Sequence, residues 1–494
     1  MKSKGIVYLV GAGPGDPGLL TLRGAELLAR ADAVASDPEI SPELLHHLPK
    51  TAEVLKPKSP AELVELLIAR ARAGKTVVRL FSGDPFLFGS GSDEALKLGE
   101  AGVPFEIVPG ISSFIAAPSY AGVPPTHRDF ASQLTLADSR ESSDNTELAQ
   151  IAKSPGTKVF RLGPGGVASL AGKLSSEGLS ASTPVAVIFD GTAGNQHSVE
   201  GTLGTIGSLV AKEKPAASVV IIGDVVKLRG KLNWFEQRPL FGKRVVVTRA
   251  REQAGQLSRQ LRERGADVLE VPTIKIEAPT RREDLVDAML ELNSYDWIVF
   301  TSPNGVTSFF EYFFRKFHDM RDIGGARIAA VGPATANKLK ELHLQVDLMP
   351  DEALASKIAE AFSEFESIEN LKICLMRAEV ANRELPESLE ALGAIVDDIA
   401  CYRTVPETED PTGSAATLLE EGADWIAFTS SSTVEHFHTR FDLPALLQKF
   451  PNLKTATIGP ETSKALVVLG LEPTVEAKQH TIEGLVDAIT ARKS

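Results

Sequence analysis

Cysteine is scarce in this sequence, and apolar runs are short. The two cysteines, Cys374 and Cys401, are too few for a disulfide framework, and without a CxxC pair they offer no zinc site. No stretch approaches the ~18–20 consecutive apolar residues that a membrane helix needs. We therefore expect a protein with no disulfide framework, no metal site and no membrane span.

An excess of basic residues is also lacking. The chain has 52 Lys and Arg against 65 Asp and Glu, which gives a net charge of −13. Sequence-independent nucleic-acid binding needs a broad positive face, so this balance disfavours it. The first apolar run is too short for a signal peptide and passes directly into a glycine loop. We expect a cytoplasmic protein whose partners are small molecules held by a few local cations.

What the chain does have, over 494 residues, is a regular alternation of apolar strand-like runs and amphipathic helical patterns. GIVYLV precedes LLTLRGAELLARA, and VVVTR precedes QAGQLSRQLRERG. This alternation predicts an α/β chain with largely parallel sheets, and the length predicts more than one domain. Residues 228–243, LRGKLNWFEQRPLFGK, lack helical periodicity and place the main boundary near residue 240.

The C-terminal half repeats itself at one offset. WIVFTSPNGVTSFFEYF at 297–313 returns as WIAFTSSSTVEHFHTRF at 425–441, and IAAVGPATANKL at 328–339 returns as TATIGPETSKAL at 455–466. A third pair of segments has the same shift of 127 or 128 residues. Collinear matches at one offset predict two similar α/β lobes made by duplication, with a ligand cleft between them.

Three loops that follow predicted strands carry residues suited to ligand binding. In Gly11-Ala-Gly-Pro-Gly-Asp16 the glycines permit positive φ, and Pro14 stiffens the backbone. In SGDPFLFG, Asp84 either accepts hydrogen bonds from a ligand or caps the next turn. The third loop, PGISS from Pro109, combines small residues with the downstream donors of Thr126-His127-Arg128. The glycine loop taken alone is also compatible with a tight βα turn.

Together these loops point to a known family. In order and spacing, GAGPGDPGLLTLRGAELLARAD, SGDPFLFGSG, VPGISSFIAAPSYAGVPPTHRDFAS and KLNWFE resemble the uroporphyrinogen-III C-methyltransferase family of S-adenosylmethionine-dependent tetrapyrrole methylases, over about residues 5–236. Over about residues 243–494, VVVTR, FTSPNGV, AVGPAT, TIGPET, ACYRT and HTIEGLVDAI resemble uroporphyrinogen-III synthase. The chain is similar to fusions of these two enzymes.

The resemblance implies a two-lobed tetrapyrrole methylase fold over residues 1–236 and a two-lobed synthase fold over residues 237–494. Because the duplicated segments alternate, we expect the synthase lobes to be interleaved, with two strands crossing between them. We define lobe A as residues 243–275 and 403–494, and lobe B as residues 276–402.

In the methylase family, S-adenosylmethionine lies in a cleft between two α/β lobes. The resemblance implies a catalytic role for Asp37, which matches the family's acidic residue, and substrate binding by Arg128. The positions that match the family's cofactor-binding residues are Pro14, Gly83, Asp84, Leu87, Ser112, Ser113, Leu162 and Gly191.

This half departs from the family pattern on the tetrapyrrole side. The family's basic loop, with its proposed proton-donor lysine, is missing after Asp37, and its Phe-Gly-Arg-Gly segment is Phe88-Gly89-Ser90-Gly91 here. An octacarboxylate substrate needs cationic partners, and each charge-assisted contact contributes ~1.5–3 kcal/mol. We therefore expect an intact cofactor scaffold with slow methylation.

The synthase family cyclises linear hydroxymethylbilane with inversion of its last ring, after loss of the terminal hydroxyl, and needs no cofactor. The resemblance implies that Tyr402 assists departure of that hydroxyl. We expect Ser302, Thr335, Ser430 and Thr462, at predicted helix starts, to bind substrate carboxylates. The residues leave open that Thr462 only caps its helix and that Tyr402 only packs between the lobes.

The predicted function is that of a bifunctional enzyme. It would cyclise hydroxymethylbilane to uroporphyrinogen III and methylate that product with S-adenosylmethionine toward precorrin-2, in the sirohaem and cobalamin branch. We expect a homodimer formed through the methylase half. Two alternatives stay open. One is an active synthase joined to an impaired methylase that binds the cofactor or serves dimerisation, and the other is a non-catalytic tetrapyrrole-binding sensor.

Overall fold

The computed structural model describes residues 5–49, 51–138, 145–213, 216–352, 355–410 and 412–491. Within these ranges the strands form four five-stranded sheets, connected by helices that pack on the sheet faces. The α/β class expected from the alternation of apolar runs is confirmed.

The first sheet is parallel throughout and carries the three loops singled out by the sequence. Its strands are β1 Ile6–Gly11, β2 Ala33–Ser36, β3 Glu53–Val54, β4 Thr76–Phe81 and β5 Phe105–Val108, in the order β3-β2-β4-β1-β5. The helices of this region are α1 Leu22–Leu28, α2 Pro60–Arg72, α3 Gly91–Glu100 and α4 Ser113–Tyr120. Loops after β1, β4 and β5 lie at the carboxyl edge, where open α/β sheets bind ligands.

The second sheet is mixed, which differs from the largely parallel sheets that the sequence predicts. Its strands are β6 Leu134–Asp138, β7 Thr157–Leu162, β8 Pro184–Phe189, β9 His197–Thr202 and β10 Ser218–Ile222, in the order β6-β7-β10-β8-β9. Only β6 and β7 pair in parallel. Residues 190–196 join β8 to β9, and a connection this short forces an antiparallel pair. The helices here are α5 Asn145–Lys153, α6 Gly166–Ser176, α7 Ile206–Val210 and α8 Arg229–Leu232.

The third and fourth sheets belong to the C-terminal half and are built from alternating stretches of chain. The third contains β11 Arg244–Val247, β12 Asp267–Glu270, β18 Trp425–Phe428, β19 Lys454–Thr457 and β20 Val475–Glu476, in the order β12-β11-β18-β19-β20. The fourth contains β13 Ile274–Glu277, β14 Trp297–Phe300, β15 Arg327–Ala330, β16 Lys372–Ala378 and β17 Ile395–Pro406, in the order β13-β17-β16-β14-β15. Interleaved α/β lobes are therefore confirmed.

Two strands reach past the limits that we assigned to the lobes. Both β13 and β17 pair within the fourth sheet along their whole lengths, and they are antiparallel to each other over residues 274–277 and 403–406. The expected limits at 275/276 and 402/403 fall inside these strands. The domain and lobe limits accordingly stay predictions.

Helix α11, Pro303–Lys316, shows why the repeated segments form helices. Ser302 accepts a hydrogen bond from the Gly305 amide at 3.1 Å, and Pro303 occupies the first position, where a missing N–H costs nothing. Val306, Phe309 and Phe313 recur at helical spacing and are fully buried in the lobe B core. The other helices of this half are α9 Arg251–Glu263, α10 Arg282–Leu290, α12 Pro333–Glu341, α13 Ala355–Phe365, α14 Glu384–Ala391, α15 Ser414–Glu421, α16 Ser431–Phe441, α17 Leu443–Lys449, α18 Pro460–Val468 and α19 Ile482–Ala491.

The N-terminal and C-terminal halves are in direct contact. Arg262 of α9 forms an ion pair with Glu43, in the short 3₁₀ helix Pro42–His47 of the first half. Gly194, in the connection between β8 and β9, packs so closely that an added Cβ would lie 2.3 Å from the Ala266 carbonyl oxygen. None of the described helices has the length and apolar character needed to cross a bilayer.

Candidate functional site

The three loops at the edge of the first sheet meet through their backbones. Gly83 donates to the Gly13 carbonyl at 2.8 Å, and Gly13 donates back to the Gly83 carbonyl at 3.3 Å. A Cβ added to Gly110 would lie 2.1 Å from the Gly83 carbonyl oxygen, so a side chain there cannot be accommodated. These glycines bring the predicted cofactor-binding loops to one place, where the buried Gly13 and Gly83 pair with each other through their backbones.

Asp84 organises two of these loops. One carboxylate oxygen accepts hydrogen bonds from the amides of Phe86 at 2.8 Å and Leu87 at 3.1 Å. The other accepts from the Gly110 amide at 2.9 Å. The sequence suggested either a ligand contact or a turn cap, and the structure shows the second. A carboxylate oxygen has two acceptor positions, so the oxygen facing Gly110 keeps one for a ligand.

The other predicted cofactor-binding residues of the first sheet's loops lie at the same carboxyl edge of that sheet. Ser112 is the N-cap of α4 and accepts from the Phe114 amide at 3.3 Å, and Ser113 is the first helical residue. Pro14 is half-buried in the glycine loop, and Leu87 packs on the core around Phe114. The cofactor-binding roles of these residues stay predictions.

Gly191 and Leu162 come from the lobe built on the second sheet, which we call the second methylase lobe. An added Cβ on Gly191 would lie 2.4 Å from the Ala117 Cβ, so glycine allows the second lobe to approach α4. The Leu162 side chain is 3% exposed and belongs to the second-lobe core. A ligand in the cleft would meet the Leu162 backbone rather than its side chain.

Sequence reasoning missed two residues that fix the glycine loop. The Thr192 hydroxyl accepts a hydrogen bond from the Asp16 amide at 3.0 Å, and the Tyr120 hydroxyl donates to Asp16 Oδ2 at 2.8 Å. Burial of Tyr120 and the adjacent Asp16 charge raise the pKa of that phenol, so it stays protonated and keeps donating. Thr192 lies in no recognised motif and Tyr120 lies in the motif that contains PGISS, but their long sequence separation from Asp16 hid both contacts.

Asp37, the predicted catalytic carboxylate, lies in a network of fixed partners. One oxygen is 2.6 Å from Arg79 Nη2, and the other accepts from the Ser82 amide at 2.9 Å. Arg79 is 4% exposed and also pairs with Glu94 at 3.1 Å. Ser90, which stands where the family has arginine, donates to Glu94 at 2.9 Å. The structure thus gives Asp37 a structural partner that the sequence did not reveal.

The KLNWFE motif, residues 231–236, lies at the end of the N-terminal half. Arg229, 6% exposed, pairs with Glu236 at 2.6 Å and donates to the Ala121 carbonyl at 2.8 Å. Ser198 also donates to Glu236, at 2.8 Å. Burial alone would raise the pKa of Glu236, but hydrogen bonds from Arg229, Ser198 and other donors outweigh it and lower that pKa.

Tyr402 is at the centre of the second candidate site. Its hydroxyl lies 2.9 Å from the Ser302 hydroxyl at the start of α11, and the residue is 7% exposed. Burial raises the pKa of the phenol, while hydrogen bonds with Ser302 and Asn304 act in the opposite direction. The phenol is therefore protonated at neutral pH, and it lies beside the N-terminal end of α11.

The other predicted substrate-binding residues lie at helix starts in both lobes. Ser430 caps α16 through a capping box with Thr433. Thr335 and Thr462 are each 3% exposed, and the caps of their helices are Gly332 and Gly459. The interpretation of Thr462 as a helix cap is therefore wrong. Both threonines are buried, and their amides donate to the Gly332 and Gly459 carbonyls, so their substrate-binding roles stay predictions.

Comparison with known proteins adds an independent finding. The chain matches a family model described as Tetrapyrrole (Corrin/Porphyrin) Methylases over residues 6–207, and one described as Uroporphyrinogen-III synthase HemD over residues 255–487. A relative from Ruminiclostridium josui, porphyrin biosynthesis protein HemD, is 34% identical over 98% of this chain and 97% of its own length.

The chain belongs to this family of fused tetrapyrrole methylases and uroporphyrinogen-III synthases.

Further relatives match mainly the methylase half. Uroporphyrinogen-III C-methyltransferase of Bacillus subtilis is 37% identical over 71% of this chain and 74% of its own length. Siroheme synthase 1 of Yersinia enterocolitica is 39% identical over 48% of this chain and 52% of its own length. A crystal structure of uroporphyrin-III C-methyltransferase from Thermus thermophilus with S-adenyl homocysteine is 34% identical and covers 45% of this chain and 98% of that chain, with a TM-score of 0.40.

Two arginines of the methylase half have different surroundings, and the substrate-binding role of Arg128 stays a prediction. Arg128, predicted to bind substrate, has a side chain 90% exposed, with Asp129 at 4.0 Å. Arg161, which sequence reasoning missed, pairs with Asp138 at 2.8 Å and donates to the Phe88 carbonyl at 3.1 Å. Because β7 carries Arg161 and Phe88 belongs to the first-sheet loops, this guanidinium links the two methylase lobes.

In the methylase half, the start of α4 lies beside the joined glycine loops, whose Gly13, Gly83 and Gly110 amides are already paired within the loops. Two apolar residues of these loops are exposed, Phe86 at 55% and Ile111 at 38%. In the part of the chain that the structure describes, no group of three or more His, Cys, Asp or Glu side chains could hold a metal ion.

Proposed function

We propose that this chain cyclises hydroxymethylbilane to uroporphyrinogen III and then methylates that product with S-adenosylmethionine toward precorrin-2. The observation that carries the proposal is the hydrogen-bonded pair of Tyr402 and Ser302, 2.9 Å apart, at the start of a helix in one of the two interleaved lobes. The synthase half works without a cofactor, and the methylase half uses S-adenosylmethionine as methyl donor.

In the cyclisation, the Tyr402 phenol donates a proton to the departing hydroxyl of the bilane. Its raised pKa keeps the proton in place until the leaving group takes it, and Ser302 orients the phenol. Backbone amides at the starts of α11, α12, α16 and α18 hold substrate carboxylates. With donors on both lobes, closure brings the chain ends of the bilane together.

In the methylation, the chain binds and aligns rather than reacting covalently. The sulfonium of the cofactor supplies an already activated methyl group. The backbone of the joined loops, with Gly83 and Ser112, holds the cofactor, and Gly191 brings the second lobe against it. Pairing of the two lobes excludes water from the cleft.

A second candidate keeps the synthase and makes the methylase half a cofactor-binding or dimerising module with impaired transfer. Two observations favour it. Asp37 is already paired with Arg79, and Ser90, at the position of the family's arginine, donates to Glu94. Phe86 and Ile111 are exposed apolar residues on the cofactor loops and support a homodimer through this half. Sedimentation analysis of the full chain tests that assembly.

The test is turnover of hydroxymethylbilane by the full chain, with separation of the type I and type III isomers of the cyclised product. The proposal predicts the type III isomer in excess of the protein-free reaction. Calorimetry with S-adenosylmethionine tests the methylase half separately, and the absence of binding at millimolar cofactor would remove that part of the proposal.

A further inference from the structure

Beside the Tyr402 site, a second concave surface lies between β13, α10 and α11. This cavity has a volume of about 290 Å³ and is lined by polar side chains of lobe B. We name it the α10–α11 pocket. It shares Asn304 with the Tyr402 site, because Asn304 lines the pocket and hydrogen-bonds with the Tyr402 phenol. A molecule in the pocket therefore contacts a residue that hydrogen-bonds with the proposed proton donor.

The pocket is bordered by two arginines on different helices. Arg282 is the first residue of α10, and Arg315 lies in the last turn of α11, with its guanidinium 5.3 Å from the Tyr312 ring centre. Both side chains belong to exposed residues. Among the described residues, no carboxylate lies within ion-pair distance of either guanidinium. Two cations on one pocket favour an anionic occupant.

Two acidic residues also line the pocket, and one of them is already paired. Glu277 is engaged by Lys275 at 2.9 Å and Arg403 at 2.9 Å. These two contacts lower the pKa of Glu277, so it stays ionised but compensated. Glu311 is the other lining carboxylate, on the exposed face of α11. The lining therefore carries two positive and two negative charges, and the preference for an anion rests on the two guanidinium groups, which have no ion-pair partner among the described residues.

The size of the pocket limits what it can hold. Sites for whole drug-sized ligands occupy ~300–1,000 Å³, and 290 Å³ is at the bottom of that range. A complete linear tetrapyrrole is too large, whereas one pyrrole ring with its two carboxylate side chains is of the right order. The hydroxyl of Ser308 and the Asn304 amide add neutral donors.

We propose that the α10–α11 pocket binds the carboxylate side chains of one ring of the bilane, with Arg282 and Arg315 as their cationic partners. This proposal rests on the cyclisation proposed above and extends it, because it assigns part of the substrate to a surface beyond the helix starts. Tyr402 then acts on a ring that is held next to Asn304. Arg282 and Arg315 are binding residues, and the proton donor remains Tyr402.

The test compares Arg282→Gln and Arg315→Gln in the full chain. Each substitution is expected to raise the KM for hydroxymethylbilane by about ten- to a hundred-fold, with kcat changed less than about threefold, because a charge-assisted contact is lost without loss of the proton donor. Arg282→Lys and Arg315→Lys should restore part of the affinity. The matched control is Arg281→Gln, which removes the neighbouring cation that pairs with Asp284 and does not line the pocket.

Binding of uroporphyrin III, followed by its fluorescence, separates failure of this proposal from failure of the cyclisation. Weaker binding by the Arg282→Gln/Arg315→Gln double variant supports the pocket even if turnover is absent. Unchanged KM and unchanged porphyrin binding in the double variant would overturn it while leaving the cyclisation intact. A wild-type protein that neither turns over the bilane nor binds the porphyrin would overturn both.

Discussion

Asp84 tests the cofactor scaffold at the level of one side chain. Asp84→Ala removes the acceptor for the Phe86, Leu87 and Gly110 amides, so two loops lose their common anchor. We expect S-adenosylmethionine binding to weaken by about 1–3 kcal/mol, roughly 5- to 150-fold in Kd, measured by calorimetry. Asp93→Ala, an exposed aspartate on α3, is the control. Equal Kd values for both variants and the wild type would show that the loops do not hold the cofactor.

Tyr402 tests the chemistry of cyclisation. Tyr402→Phe keeps the ring in its packing position and removes the phenolic proton, so we expect kcat for hydroxymethylbilane to fall about 10²–10⁴-fold, as for loss of a general acid. Tyr295→Phe removes another buried phenol of the same half, bonded to Asp397 at 2.7 Å, and should keep kcat. Unchanged production of the type III isomer by Tyr402→Phe, at equal folded concentration, would leave Tyr402 with a packing role only.

The raised pKa of Tyr402 fixes the direction of its pH dependence. A phenol titrates near 10 in water, and burial moves that titration to higher pH. The donor is therefore fully protonated throughout the neutral range. Rates measured from pH 6 to 9 should show no loss that depends on Tyr402, and a Tyr402-dependent fall within that range would contradict this protonation state.

At the residue scale, the motifs located the cofactor loops but not the roles of all their members. Asp84 stands in a motif, yet only the structure shows that backbone amides occupy most of its acceptor positions. Thr192 and Arg161 stand in no motif, and their partners lie far away in sequence. Sequence patterns report local spacing, and these contacts depend on how two lobes are packed.

At the scale of elements, Glu236 of the KLNWFE segment pairs with Arg229, and the stability that this ion pair contributes depends on pH. The pKa of Glu236 is lowered in the folded state, so its ionised form contributes stability above its ordinary pKa, and that contribution is lost as the pH falls through the lowered value. We expect Glu236→Gln to reduce the free energy of unfolding by about 1.5–3 kcal/mol at pH 7, with a smaller difference near pH 3. Denaturant unfolding at both pH values measures this.

The matched control for Glu236→Gln is Glu65→Gln, because Glu65 is exposed on α2. Its unfolding free energy should follow that of the wild type at both pH values. A Glu236→Gln effect that is the same at pH 7 and pH 3 would mean that packing, rather than the ion pair with Arg229, accounts for the loss.

Elements were predictable from sequence where a local signal exists. Ser302 and Pro303 indicate the start of α11, and the apolar spacing after them indicates its buried face. The direction of strands in the second sheet was not predictable in the same way. An apolar run has no sign of direction, and the antiparallel order follows from the short connection between β8 and β9.

At the scale of the whole molecule, the methylase half should transfer methyl groups slowly. Arg161 is paired with Asp138 and Ser90 replaces a cation, so Arg128 is the predicted cationic partner that the substrate carboxylates keep in a protein of net charge −13. Loss of two contacts of ~1.5–3 kcal/mol each predicts transfer about 10²–10⁴-fold slower than in a family member with the basic loop. Single-turnover transfer of labelled methyl groups to uroporphyrinogen III measures this.

A gain of function checks the same account. Ser90→Arg returns a cation to the loop after β4 and should accelerate methyl transfer about tenfold or more, whereas Ser92→Arg, which adds a cation at an exposed α3 position, should not. Wild-type transfer as fast as that of an intact family member would show that the altered loops are tolerated. The prediction of slow transfer would then be wrong.

The duplication in the sequence was sufficient to predict interleaved lobes, since three collinear repeats share one offset. The contact between the two halves was not predictable. It depends on the Arg262 and Glu43 pair and on the close approach of Gly194 to Ala266, and each of these residues lies outside the recognised motifs. Local sequence patterns carry no signal for this contact between the two halves.

The most direct test of the central claim, that one chain cyclises the bilane and then methylates the ring, is the mass of the product formed from hydroxymethylbilane with and without S-adenosylmethionine. Without the cofactor, the account predicts uroporphyrinogen III, with the type III isomer in excess of the protein-free reaction. With the cofactor, it predicts the same ring carrying one or two added methyl groups, which accumulate more slowly than the ring forms. A product identical to that of the protein-free reaction under both conditions would contradict the account.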